Sequence, residues 1–119
     1  MASIDILLPH KEMMSDSNRG AIATVVSELV LNSASPDMFS VFGIPLSDPI
    51  EGIDYRPLSF YRKWLYGGNL GMAHAYLRTL TAQNRNPDLI EVHGRAHVAA
   101  LIARKRPDLK VVLYLHNDP

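Results

Sequence analysis

The stretch Leu89-Ile90-Glu91-Val92-His93-Gly94-Arg95-Ala96-His97-Val98-Ala99-Ala100-Leu101-Ile102-Ala103-Arg104-Lys105-Arg106-Pro107, followed by Val111-Val112-Leu113-Tyr114-Leu115, decides the fold. Its first four residues read as a strand. Val98, Leu101 and Ile102 then fall on one side of a helix, and Pro107 bars its continuation. Arg104, Lys105 and Arg106 fill the final turn, where cations suit the helix dipole. Residues 111–115 read as a fully buried strand. Strand, helix and strand span residues 88 to 116, about the 30 residues that a right-handed βαβ unit needs.

Upstream, the same alternation repeats. Ile4-Asp5-Ile6-Leu7-Leu8 reads as a short buried strand closed by Pro9. Ser15, Asp16, Ser17 and Asn18 offer helix N-caps, and Ile22, Val25, Val26, Leu29 and Val30 follow at helical spacing. Pro36 closes that connection. Residues 38–42 form a second strand and residues 53–56 a short third, with a loop rich in proline between them. Leu70, Ala73, Leu77 and Leu80 mark a helix that starts near Leu65, its first turns weakened by Gly67, Gly68 and Gly71. The pattern predicts one α/β domain over residues 1–119, with a mostly parallel, Rossmann-like sheet and helices on both faces.

Composition narrows the function. Twelve Lys and Arg balance twelve Asp and Glu, so no net field draws the chain to nucleic acid. The absence of cysteine excludes disulfides, thiolate metal sites and a Cys nucleophile. No secretory signal or apolar run of membrane-spanning length is present, which predicts a cytoplasmic protein. One segment qualifies that: Tyr55, Phe60, Tyr61, Trp64 and Tyr66 interleave with Arg56, Arg62 and Lys63. Such a pattern suits peripheral contact with the inner face of a membrane, or a helix flank with snorkelling side chains.

Ligands of open parallel sheets bind outside the carboxyl ends of the strands. Three of the five histidines, His10, His93 and His116, follow predicted strands. Each alone is equally consistent with a polar edge residue, but three together point to a site. Asn18-Arg19-Gly20 precedes the first helix and suits either a phosphate held by free backbone N–H groups or an ordinary helix start. His93 and His97 have metal-pair spacing, yet Gly94 and the strand end separate their faces, so no metal site is expected. A histidine-based hydrolase would need an acidic partner, which the pattern does not identify.

The opening strand with its Gly-containing loop and helix resembles the start of family-four glycosyltransferases. The match continues in Ile90-Glu91-Val92-His93-Gly94-Arg95, in Ala100 to Lys105 and in Val111 to Pro119. Leu113-Tyr114-Leu115-His116-Asn117-Asp118-Pro119 is its most specific part. Where that family commonly has a Gly-Gly pair, this chain has Arg19-Gly20. The resemblance implies the amino-terminal, acceptor-side half of a retaining GT-B transferase, which uses a nucleotide-sugar donor and needs no metal or other cofactor. It implies that His116 faces the donor sugar at the reacting centre, that Arg19 and Gly20 border the donor diphosphate, and that His93, Arg95 and His10 lie on the side of a saccharide or lipid-linked acceptor. It further implies a nucleotide-binding carboxy-terminal domain outside this chain, inactivity of these 119 residues alone, and self-association through an uncovered face. A non-catalytic α/β binding or interaction module is the alternative.

Overall fold

The structure, a computed structural model, describes residues 2–15, 17, 19–59 and 67–116. Five strands, β1 (Ile4–Leu7), β2 (Phe39–Gly43), β3 (Tyr55–Pro57), β4 (Leu89–His93) and β5 (Val111–Tyr114), form one sheet in the order β3-β2-β1-β4-β5. Every pairing is parallel. Among the described residues the helices are α1 (Ala21–Leu31), α2 (Gly68–Ala82) and α3 (Ala96–Lys105), with a 3-10 turn at Pro36–Met38. This is the Rossmann-like α/β architecture the alternation predicts. The sheet grows outward one way from β1 to β3 and then the other way from β4 to β5. Its strand order therefore reverses between β1 and β4.

Parallel strands bury both faces, and the two faces carry separate cores. Ile6, Leu8, Phe39 and Val41 meet Ala23, Val26 and Val30 of α1 on one face. Leu7, Phe42, Ile90 and Val92 meet α2 and α3 on the other, through Met72, Tyr76, Val98 and Ile102. Each fully buried Leu, Ile or Val contributes about 1.5–3 kcal/mol.

One polar cluster crosses the second core. Asp5, buried in β1, accepts a hydrogen bond from the Tyr76 hydroxyl at 2.7 Å and from Nη2 of Arg85 at 2.6 Å. Arg85 also lies over the Phe42 ring, 5.4 Å from its centroid. Burial, reinforced by the Asp5 charge, raises the Tyr76 hydroxyl well above the ordinary phenol range, which keeps it a donor. The hydrogen bond to Asp5 likewise raises Arg85.

Three sequence expectations are corrected. The 111–115 segment is not a fully buried strand: Val111 and Leu113 pack beneath α3, whereas Val112 and Tyr114 are exposed. α1 covers β1 and β2 on that face, and no described element covers β5. For the same reason Val25 and Leu29, expected within the apolar stripe of α1, are exposed. The N-cap of α1 is Gly20, without a side-chain cap, and not one of the polar residues 15–18; of these, Asp16 and Asn18 lie outside the described residues. The expected start near Leu65 and the aromatic-basic run at 60–66 also lie outside them.

Removing one partner of a buried ion pair leaves the other uncompensated. Asp5→Ala is therefore expected to lower stability by about 3–5 kcal/mol, and Tyr76→Phe by about 1.5–3 kcal/mol. Urea denaturation at neutral pH measures both.

Candidate functional site

The carboxyl edge of the sheet collects the strand-end residues. At the end of β4, Glu91 and His93 lie two residues apart and so share the α1 face. Both are almost fully buried, 5% and 4% exposed. His93 Nδ1 lies 2.8 Å from Nε2 of His116, which follows β5. The parallel register pairs His93 with Tyr114, and their rings stack with centroids 5.0 Å apart and planes 7° from parallel. On its other side, His93 Nε2 lies 3.8 Å from Glu91 Oε2. The Glu91 charge raises the Tyr114 hydroxyl above the ordinary phenol range, with smaller contributions from burial and a hydrogen bond to Glu91. The Gly94 N–H donates to the Tyr114 carbonyl at 2.9 Å, tying the two strand ends together.

The loop after β1 supplies a second group. The His10 backbone N–H donates to Asn69 Oδ1 at 2.8 Å, and its ring lies where a Cβ on Gly68 would project. The first turn of α2 can approach His10 only because that position is glycine. Lys11, next in the loop, adopts a left-handed conformation with φ 74°, unusual outside glycine and a source of local strain.

At the start of α1, Glu12 folds back so that Oε2 accepts a hydrogen bond from the Ala23 N–H at 3.0 Å. A Cβ on Gly20 would collide with that carboxylate. The free N–H groups of a helix start attract an anion, and here the chain provides its own. Arg19 is exposed and bridges in antiparallel fashion to Met14.

Of the residues singled out in the sequence, His93 and His116 are in direct contact, and His10 meets α2 at the same edge. Gly20 lies against Glu12. Arg95 is exposed as the N-cap of α3. His93 belongs to β4 and His97 to α3, so the two do not form a helical metal pair. No group of three His, Cys, Asp or Glu arranged for a metal occurs among the described residues. Glu91 was missed as a site residue, although it is the carboxylate that a histidine pair would need. Its signal was available: a lone charge in an apolar strand, two positions before a histidine and hence on the same face.

A large open concavity of about 640 Å³ lies elsewhere, between α2 and α3, and includes His74, Leu77, Arg78 and Lys105. Arg78 and Lys105 belong to the later turns of those helices, which run back toward the amino ends of the strands. The buried polar cluster, and not this groove, marks the candidate site. Comparisons of the chain with protein families, curated proteins and solved structures return no match.

Gly68→Ala is expected to displace the His10 ring. Histidine ring NMR should show a shifted His10 signal with His93 and His116 little changed, and thermal unfolding should show a lower midpoint.

Proposed function

We propose that the chain is the acceptor-side domain of a retaining glycosyltransferase that moves a sugar from a nucleotide-sugar donor to a saccharide or lipid-linked acceptor. The observation that carries this reading is the His93–His116 contact at the carboxyl edge, 2.8 Å between ring nitrogens, next to the reversal of strand order between β1 and β4. Such reversals are where open α/β sheets bind ligands. Imidazoles suit sugar hydroxyls because one ring both donates and accepts hydrogen bonds.

In this reading His116 contacts the donor sugar, while His93, Arg95 and His10 border the acceptor. The donor diphosphate approaches Gly20 and Arg19 at the α1 N-terminus and displaces Glu12. A second, nucleotide-binding domain completes the cleft, so transition-state stabilisation is incomplete in these residues alone. The β5 face that the described residues leave uncovered, with Val112, Tyr114 and Leu115 exposed, supports self-association of the isolated chain.

Histidine-labelled protein titrated with nucleotide-sugars and simple saccharides tests the reading. The ring signals of His93 and His116 are expected to move and those of His97 to stay fixed, with no turnover by the chain alone. Strand-end rings that respond to none of these ligands would overturn it. Glu12→Ala should strengthen binding of a nucleoside diphosphate, measured by calorimetry. The same change should lower stability by about 0.5–2 kcal/mol, the usual loss on removing a helix cap.

A further inference from the structure

Glu91 and His93 are polar, almost fully buried and unexplained by packing. Buried polar atoms almost always find partners, yet Oε2 of Glu91 and Nε2 of His93 make no hydrogen bond among the described residues. These two atoms face one another across 3.8 Å. The opposite ring nitrogen of His93 contacts His116 at 2.8 Å. A carboxylate and two imidazoles thus stand in series.

We propose that Glu91, His93 and His116 form a proton relay in which Glu91 and His93 are positioning residues that make Nδ1 the basic nitrogen of His116. Two neutral imidazoles in contact share one proton, and the carboxylate decides which ring donates it. Were His93 to donate from Nδ1, its Nε2 would turn a lone pair toward the Glu91 carboxylate, two acceptors opposed in a poorly solvated site. With His116 donating from Nε2, His93 carries its own proton on Nε2, directed at Glu91. The second arrangement is favoured electrostatically, and strongly so where solvent is excluded. His116 then has its lone pair on Nδ1.

Proton uptake is balanced within the relay. An O–H bond of a hydroxyl or water breaks, an N–H bond forms at Nδ1 of His116, and the oxygen keeps the electron pair. The Nε2 proton of His116 can then pass to Nδ1 of His93, which brings the positive charge beside Glu91. Tyr114 also stands against the relay, stacked on the His93 ring and hydrogen-bonded to Glu91. From the β1–α1 loop, His10 packs against Gly68 and Glu12 turns to the start of α1, while Lys11 is exposed. The single charged residue of α1, Glu28, is exposed, as is Arg95 at the start of α3.

The relay does not depend on the transferase reading, and its test involves no sugar. Two-bond nitrogen–proton correlation spectra of histidine-labelled chain, recorded between about pH 5 and 9, report the tautomer and charge of each ring. Above the midpoint, His93 and His116 are both expected as Nε2–H tautomers. In Glu91→Gln an amide stands where the carboxylate selects the tautomer. Donation from the new amide to His93 Nε2 should shift both rings toward Nδ1–H. An Nδ1–H tautomer of His116 in the wild type overturns the proposal, as does a folded Glu91→Gln variant with unchanged tautomers. Should that variant not fold, the wild-type tautomers decide the matter.

Discussion

Asp5 is the residue on which the arrangement turns. A carboxylate in the central strand of a parallel sheet is costly to desolvate, and it persists because Tyr76 and Arg85 reach it from α2 and the segment beyond. That demand fixes where α2 lies across the sheet and how far along its axis it sits. With its later turns held over β1, its first turn arrives at the carboxyl edge, where Gly68 admits the His10 ring. The buried pair near the amino ends of the strands and the histidine edge at their carboxyl ends are linked through one helix. The site's geometry is thereby coupled to the stability of the fold.

The two faces of the sheet are finished to different degrees. Beneath α2 and α3 the core is continuous from Leu58 to Val98 and onward to Leu113. On the α1 face, apolar packing stops after β1, and the neighbouring strand carries Glu91 and His93 where aliphatic residues would otherwise stand. Those two side chains are buried yet adjoin an exposed strip on β5 that includes Val112 and Tyr114. Polar chemistry is tolerated there because the residues form their own short series of contacts and do not interrupt a packed layer.

Most of the fold was legible because the last third of the chain alternates so plainly: an apolar strand, Val98, Leu101 and Ile102 on a helical face, then Pro107 and another apolar run. What the periodicity could not convey was which elements lie next to which. Val112 and Tyr114 belong to a run indistinguishable from a central strand, and only the sheet order makes it an edge. Val25 and Leu29 likewise fit the stripe of α1, but a stripe does not reveal how wide a surface the helix covers. The N-cap expectation failed for a related reason. Residues 15–18 have capping side chains, whereas the helix is satisfied by Glu12, brought back by a loop whose path no local pattern encodes. At the carboxyl edge, strand-end position was enough to anticipate that His10, His93 and His116 lie there, where His93 and His116 are in contact. Glu91 was passed over because a charge within a strand attracts attention only once its face is known.

The Glu12 carboxylate at the start of α1 has a consequence for ligand choice. A tethered group competes at an effective concentration of about millimolar or above, however dilute the protein. A free monocarboxylate or chloride at lower concentration gains little by replacing it, since it offers the helix no more charge than is already there. A diphosphate brings extra charge and several acceptor oxygens, and it can engage further N–H groups that one carboxylate leaves unused. In the transferase reading proposed above, the folded-back glutamate would act as a threshold that screens the helix start from common small anions and yields it to a diphosphate.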